Sequence, residues 1–538
     1  MIVSNLKITI GDKDILNNIS FTISNGDKIG LVGKNGVGKS TLLKTLAGFL
    51  PTDSKMLRLS NETIGYLRQE ISHEYDDLAI SSYIKLETGI GRLEKRLYEL
   101  ENNLNDDNME EYGNVLNEFL AIDGYNFDEN LKVLANGLKL NENLQSKIKT
   151  LSGGEKIKVL LIGLLLKNSD ILLLDEPTNN LDMQAILWLE NYLKNSNKKM
   201  IIISHDEVFL QTITTKIFEL ENGKISQYNM SYENYLIAKE MEYNKKLEEY
   251  EKMNEEKDRL KKRIQKAKEW ANKGNQKKAH NDNDKIANNF AKERTKNSNI
   301  SKLTKELEAL YVPKFEEKKP IDVLFSLDNQ KGNKDVILSR LVCGYSSFKT
   351  PTIDLDIPFG SKLQIIGDNG TGKTTLIKTI LGEIVPVDGK VILGNSVKLG
   401  YISQDTLNFN YDCTIFEYLT KDVKDMDYPI MFALLNKFGI SYEDKNKSYY
   451  TLSPGERTRV NLVKLALNKT NVLILDEVIN HLDKEAIDLI YELVSTYQGT
   501  IISISHNRKY NEILNPNIIL NIKTGLIKQT TSKKTKHL

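Results

Sequence analysis

The sequence predicts an α/β fold built twice, with an antiparallel α-helical hairpin between the copies. Three observations carry that expectation. Two Gly-rich loops of one pattern, Gly33-Lys34-Asn35-Gly36-Val37-Gly38-Lys39-Ser40 and Gly367-Asp368-Asn369-Gly370-Thr371-Gly372-Lys373-Thr374, stand 334 residues apart. Each is followed in the same order by a glutamine (Gln69, Gln404), a Leu-Ser-x-Gly-Glu motif (from Leu151 and from Leu452), an apolar run ending in Asp-Glu, and a Ser-His pair. Between the copies lies a Lys- and Glu-rich stretch whose apolar residues recur at three-four spacing.

Each loop matches G-x-x-x-x-G-K-[ST]. Its glycines turn backbone N–H groups onto phosphate oxygens, its lysine reaches the β/γ-phosphates, and its hydroxyl ligates Mg²⁺. Gly33, Asn35, Gly36, Gly38, Lys39, Ser40 and Thr41 are therefore candidate ATP-binding residues, as are Gly367, Asn369, Gly370, Gly372, Lys373, Thr374 and Thr375. Downstream, the two copies are unequal in length. An offset of 335 between Gln69 and Gln404, against 301 between Ser152 and Ser453, leaves 34 additional residues in the first copy. A helical insertion over 91–133 accounts for them, with Leu93, Leu97, Leu100 and Leu104 marking one face.

The apolar runs before Asp175 and Asp476 read as buried parallel strands. Both carboxylates then sit at strand C-terminal ends, where α/β sheets bind ligands. With Ser40 and Gln69, and with Thr374 and Gln404, they form two candidate metal sets. Glu176 and Glu477 follow immediately and can polarise an attacking water. His205 and His506, each closing another β-type run, would sense the γ-phosphate. These four are the candidate catalytic residues.

Residues 232–319 form the expected linker. Tyr243, Leu247, Tyr250, Met253, Leu260, Ile264 and Ala267 mark one helix, and Ile300, Leu303, Leu307 and Leu310 a second, so a hairpin follows. About thirty helical residues would carry its turn roughly 45 Å from its base. Between Lys261 and Asn299 twelve Lys or Arg stand against four acids. Basic charge interleaved with aromatic rings suits phosphate backbones and stacked bases, RNA above all. Lys268, Trp270, Lys273, Lys277, Lys278, Phe290, Arg294 and Lys296 are the candidate RNA contacts, on a tip spanning 268–299.

The second copy, 320–528, departs from the first in two places before a short basic tail over 529–538. Pro454 stands where the first copy has Gly153, and Val478-Ile479 where it has Pro177-Thr178. Composition excludes other classes. No stretch of eighteen apolar residues occurs, and the first residues lack a signal peptide's basic and long apolar parts, so neither a membrane span nor secretion is expected. Cys343 and Cys413 are far apart, which suits a reducing, cytoplasmic compartment and no disulfide framework. The formal net charge of +1 hides a basic linker tip in an otherwise acidic chain.

The Leu151-Ser152-Gly153-Gly154-Glu155 motif resembles the signature of ATP-binding-cassette (ABC) proteins, over nearly the whole chain outside 232–319. The resemblance implies two ABC-type P-loop ATPase domains, 1–231 and 320–528, paired head to tail. Each ATP would lie between the loop of one cassette and the signature of the other. One site would combine the first loop, Gln69, Asp175, Glu176 and His205 with Ser453 and Gly455. The other would combine the second loop, Gln404, Asp476, Glu477 and His506 with Ser152, Gly153 and Gly154. Tyr345 would stack on adenine in the second cassette, whereas Ile10 occupies that region in the first. Proline offers no N–H to a γ-phosphate, so the site facing Pro454 is expected to be the slower.

Twin cassettes with no membrane segment and a basic-tipped helical linker are similar to the ABC-F family of ribosome-associated ATPases. Ser204-His205-Asp206-Glu207-Val208-Phe209-Leu210 resembles that family's Ser-His-Asp-Arg-x-Phe-Leu, with Glu207 in the arginine position. The resemblance implies a monomer with intramolecular cassette pairing that uses ATP and Mg²⁺. In its ATP state it would bind the ribosomal exit site and direct the linker toward large-subunit rRNA at the peptidyl-transferase centre and toward the P-site tRNA. Hydrolysis would release it. The first-cassette insertion would be the family's arm. The tract from Lys268 to Ser298 looks like the longer tip of antibiotic-resistance members, so protection of the ribosome is the preferred reading. A housekeeping translation factor relieving stalled ribosomes is the alternative. An ATPase component serving separate membrane subunits is a remote one.

Overall fold

The computed structural model describes all residues except 12, 52–56, 59–61, 141–142, 180, 277–300, 308, 311–332, 346–347, 404–411, 422–426, 480–481, 483 and 530–538. The chain divides into two compact units, Met1–Tyr232 with Ile321–Leu538, and Glu233–Pro320.

In the first unit each copy builds a six-stranded sheet. Across the first sheet the order is Ile64–Tyr66, Ile171–Asp175, Lys199–Ile203, Lys28–Val32, Lys216–Glu221, Lys224–Tyr228. The second repeats it with Leu399–Ser403, Val472–Asp476, Thr500–Ile504, Lys362–Ile366, Ile518–Asn521 and Leu526–Gln529. Five strands run parallel and the last is antiparallel. Every residue of Ile171–Asp175 and Lys199–Ile203 is buried, which explains the apolar runs Ile171–Leu174 and Met200–Ile203 within them: a parallel strand covered on both faces has no polar side. Asp175 lies opposite Ile203, and Asp476 opposite Ile504, so the strand C-terminal ends open along one edge, the ligand side of such sheets.

A smaller antiparallel sheet covers each parallel one. Ile2–Ile10 pairs with Lys13–Thr22 and Leu57–Arg58, and Val336–Val342 with Ile353–Ile357 and Asp388–Leu393. Leu6, Leu16, Leu31, Leu42, Leu173 and Phe218 join the layers of the first copy. Leu338, Leu355, Ile365, Leu376 and Ile474 do so in the second. The additional residues hold two helices, Ile90–Asn102 and Met109–Ala121; Phe127–Gly137, where the expected span 91–133 ends, lies at the 301 offset from Tyr428–Lys437 and belongs to the repeat. Leu97 and Leu100 are buried as the insertion's periodicity predicts, but Leu104 lies beyond the end of the first helix and is exposed.

A helix runs from Tyr232, still in the first unit, to Gln276, 45 residues or about 68 Å, and from Glu233 onward it lies in the second unit. It is longer than the apolar series predicts, because nothing between Tyr232 and Lys273 breaks a helix and i,i+4 pairs such as Glu242–Lys246 and Glu255–Arg259 support its polar faces. Leu260 and Ile264 are buried, and residues 301–307 are helical. Lys268 is exposed on the long helix. The side chains of Trp270 and Lys273, and all of Lys277, Lys278, Phe290, Arg294 and Lys296, fall outside the described residues, as do most of the tail over 529–538 and the segment 311–332 that leads into the second cassette.

Candidate functional site

Lys28–Val32 feeds the first loop, and Gly38 caps the helix Lys39–Leu46 with φ 105°; Gly372 caps Lys373–Ile380 with φ 92°. A Cβ on Gly38 would lie 2.6 Å from Ile15 Cγ2, and one on Gly372 2.7 Å from Phe348 Cε1. Left-handed backbone and close approach both demand glycine there. Lys39 Nζ donates to the carbonyls of Gly33 (2.7 Å) and Lys34 (2.9 Å) and to Asn35 Oδ1 (3.4 Å). Lys373 Nζ repeats the set on Gly367 (2.8 Å), Asp368 (3.2 Å) and Asn369 Oδ1 (3.4 Å), and lies 3.3 Å from His506 Nε2. Each lysine thus spans its own loop at a helix N-terminus, an arrangement suited to polyphosphate. Burial lowers the Lys373 pKa, against the opposing pull of Glu477 and Asp476.

Asp175 ends its strand nearly buried, and its Oδ2 is buried without a hydrogen-bond partner. Burial raises its pKa; the Ser40 hydroxyl, Lys44 and Lys39 oppose the rise. A carboxylate with a spare buried oxygen beside a hydroxyl fits a hard divalent cation. The Tyr66 phenol stands there too, pushed up to about 12 by burial and then by the Asp175 charge.

Both glutamates adopt left-handed backbone, φ 52° at Glu176 and 48° at Glu477. Such strain costs roughly 1–3 kcal/mol per residue and persists only where the surroundings enforce it. The Glu176 N–H donates to the Ile203 carbonyl (2.9 Å), and that of Glu477 to the Ile504 carbonyl (3.0 Å), which ties each turn to the neighbouring strand end. The His205 N–H donates to Glu176 Oε2 (3.2 Å), and its Nε2 lies 3.3 Å from Oε1; His506 Nε2 lies 3.6 Å from Glu477 Oε1. Burial, with Asp175 adding to it and the His205 N–H opposing, pushes the Glu176 carboxyl up to about 8. Burial and then the Lys373 ammonium hold the His506 imidazole below its ordinary value.

The signature serines cap their helices. Glu155 N–H donates to Ser152 Oγ (3.4 Å) while Ser152 N–H donates to Glu155 Oε2 (2.9 Å), and Ser453 and Glu456 do the same at 3.3 and 2.8 Å. Pro454 takes the first position of the helix Pro454–Leu467, where no intrahelical N–H is needed. The helix tolerates it, but one outward-facing donor is absent. Gly153 and Gly154 open the helix Gly153–Leu166, and Gly455 follows Pro454.

Contacts between cassettes bring each loop to the opposite copy. Lys34 Nζ pairs with Glu485 Oε1 at 2.7 Å, and Glu485 also takes Arg459 of the second signature helix at 2.9 Å. On the other side Lys139 Nζ lies 4.0 Å from Asp368, and Lys158 of the first signature helix pairs with Asp182 at 3.3 Å. The Asp182 charge bears on both Lys373 and His506.

Sequence reasoning did not single out Tyr66, Asp182, Lys34 or Glu485 as site residues. A signal exists for Tyr66, whose twin Tyr401 keeps the offset of 335, but none for Glu485, which answers to Gln184. Thr178 Oγ1 lies 3.2 Å from Ser204 Oγ, a polar contact that buried Val478 and Ile479 replace with apolar packing. Gln69 is exposed on the loop after its strand, Tyr345 is exposed on a two-residue strand, and Gln404 lies outside the described residues.

A family profile described as ABC transporter matches residues 16–179 and 351–480, and a second with the same description matches 218–310. The uncharacterized ABC transporter ATP-binding protein YfmM of Bacillus subtilis is 32% identical over 94% of this chain and 95% of its own. The energy-dependent translational throttle protein EttA of Mycobacterium tuberculosis is 30% identical over 93% of this chain and 87% of its own. Among solved structures, an archaeal ribosome recycling factor, aABCE1, shares the fold with a TM-score of 0.57 at 19% identity, covering 96% of this chain and 87% of that one. Among the described residues no helix is long and apolar enough to cross a membrane.

Proposed function

Because this chain belongs to the ABC family of ATPases, as a twin-cassette member of the ABC-F type, we propose that it spends ATP on the ribosome, in the cytoplasm, as a monomer with paired cassettes. The protein is an ATP hydrolase. Each ATP is read as lying between one loop and the opposite signature, with Lys39 or Lys373 on its phosphates and Tyr345 against one adenine. Glu176 and Glu477 orient the attacking water, and His205 and His506 hold the γ-phosphate. Mg²⁺ would be held by Ser40, Gln69 and Asp175 in one site and by Thr374, Gln404 and Asp476 in the other, supplying positive charge where the transferred group becomes negative.

The observation that carries the ribosomal reading is similarity along 93% of the chain to a protein named as a translational throttle. The linker over 232–319 would work near the peptidyl-transferase centre, touching rRNA and P-site tRNA, and protect the ribosome from large-subunit antibiotics. The throttle relative's name favours a second reading, a housekeeping translation factor. ATP-bound protein is expected to pellet with ribosomes and not with membranes or DNA. Binding should weaken as salt rises, because lysines that neutralise phosphates release counterions. Pelleting with membrane vesicles instead would move the protein to the transporter reading.

The two sites should be unequal. Glu477→Gln alone is expected to lower turnover at least about tenfold more than Glu176→Gln alone, since the site built on the first loop faces Pro454 and has one donor fewer for the developing charge. Equal losses would remove this inference. In the Glu477→Gln variant, activity should climb with pH and level off above about 8. A carboxyl raised to about 8 carries its proton below that pH and acts as a base only above it. A flat profile would show that Glu176 is not the titrating base.

A further inference from the structure

The cassettes also meet along the helices that follow the two histidines, Glu207–Ile213 and Arg508–Leu514. Glu207 accepts hydrogen bonds from Lys484 and from Lys509, the latter at 2.7 Å. Glu190 accepts from two nitrogens of the Arg508 guanidinium, Nη2 and, at 3.2 Å, Nη1; Asp206 lies 3.7 Å from the same group. None of the three carboxylate side chains is more than 13% exposed. Burial would raise the Glu207 pKa, but Lys484 and Lys509 outweigh it and hold the carboxyl below its ordinary value. The carboxylates are withdrawn from water while Lys484 (47% exposed) and Lys509 (37%) stay at the rim, so these pairs are stronger than fully exposed ones yet still weaken as salt rises.

The signs of these charges are sorted by cassette. The copies are repeats, and in this region an offset of 301 relates their residues. Arg508 therefore answers to Glu207, Lys509 to Val208, Lys484 to Met183, Asn507 to Asp206 and Tyr491 to Glu190. A face shared by two like copies meets itself, so one charge carried by both copies at 207 and 508 would be repelled by its own twin. Here the three acids that meet Lys484, Arg508 and Lys509 are all on the first cassette and those three bases all on the second; Asp488 of the second cassette also stands near, its charge bearing on Tyr232 and Tyr491. Tyr232, the first residue of the long helix, is buried beside the cluster; burial and then the Glu207 charge push its phenol pKa up.

We infer that Glu190, Asp206 and Glu207 on one cassette and Lys484, Arg508 and Lys509 on the other form a sign-coded latch. It selects which face of each cassette meets the other, and so favours the paired state in which an ATP site can close. His205 and His506 lie on the same short stretches, two residues before Glu207 and Arg508. The six residues are positioning residues: the latch acts through cassette pairing, so its loss should make ATP-driven closure harder and leave the chemistry of a closed site nearly intact.

The test keeps the full chain. Glu207→Lys, which sets a third cation against Lys484 and Lys509, is expected to raise the KM for ATP about tenfold or more with a much smaller change in kcat. Adding Lys484→Glu and Lys509→Glu in the same chain restores opposite signs and should bring KM back to within about threefold of wild type. A local defect in the Glu207–Ile213 helix would not be repaired by changes on the other cassette. If Glu207→Lys does not fold, Glu207→Gln decides: wild-type KM should rise with salt and that of Glu207→Gln should respond much less. A reversed variant that changes on the second cassette fail to rescue, a wild-type KM in Glu207→Lys, or equal salt responses of wild type and Glu207→Gln would each overturn the latch.

Discussion

The double variant Glu176→Gln, Glu477→Gln is expected to lose about 10²–10⁴-fold in ATP turnover while still binding ATP. Glutamine keeps the shape of the side chain and can keep the contact with the neighbouring histidine, but it cannot take a proton from water. In the first site the change also relieves an unfavourable charge, since Glu176 is a carboxyl whose ionised form is disfavoured by burial. Folded and nucleotide-loaded, the protein should accumulate in its closed state. On the proposed function it should then remain on ribosomes and slow translation. Single-turnover hydrolysis, ATP binding and ribosome pelleting on one preparation separate the possibilities. Lost turnover with retained ATP binding but no ribosome association would leave the ATPase intact as a conclusion and remove the ribosomal reading.

Shortening 274–286 is expected to abolish antibiotic protection with ATPase activity and ribosome association largely retained, and Trp270→Ala should weaken protection by the loss of a stacking contact of roughly 1–3 kcal/mol. The segment belongs to the unit Glu233–Pro320, whereas the loops, carboxylates and histidines proposed to hold ATP belong to the other unit and are unchanged. The readout is the inhibitory concentration of lincosamide, pleuromutilin or streptogramin A antibiotics in a susceptible bacterium expressing either form. Wild-type protein that binds ribosomes yet gives no rise in that concentration assigns the chain to the housekeeping reading.

The geometry of the two loops and of the strand ends was legible because it is local and written twice. Gly38 and Lys39 lie next to each other in the chain, Asp175 and Glu176 close one apolar run, and offsets of 334 for the loop and 301 for the carboxylates repeat the set in the second copy. Residues that act within one loop or one strand end carry their geometry in their spacing. The 34-residue insertion was legible for the same reason, as a change of offset, and its helices follow from apolar periodicity; the end of its first helix before Leu104 did not. The length of the linker helix was underestimated because apolar spacing marks where a helix packs, not where a polar helix continues.

By itself the sequence determined the two loops, the order of the motifs behind them, the alternation that makes each copy an α/β domain, and the charge of the linker. Only the tertiary structure decided the left-handed backbone of Glu176 and Glu477, the rise in the Glu176 pKa, and the reach of Lys34 to Glu485 and of Glu207 to Lys484 and Lys509. Strain and desolvation come from what packs around a residue, and pairs such as Glu207 with Lys509 lie 302 positions apart, with no repeat to mark them. Nothing local encodes the approach of two faces from different copies; it is set by the way two folded domains bury against each other.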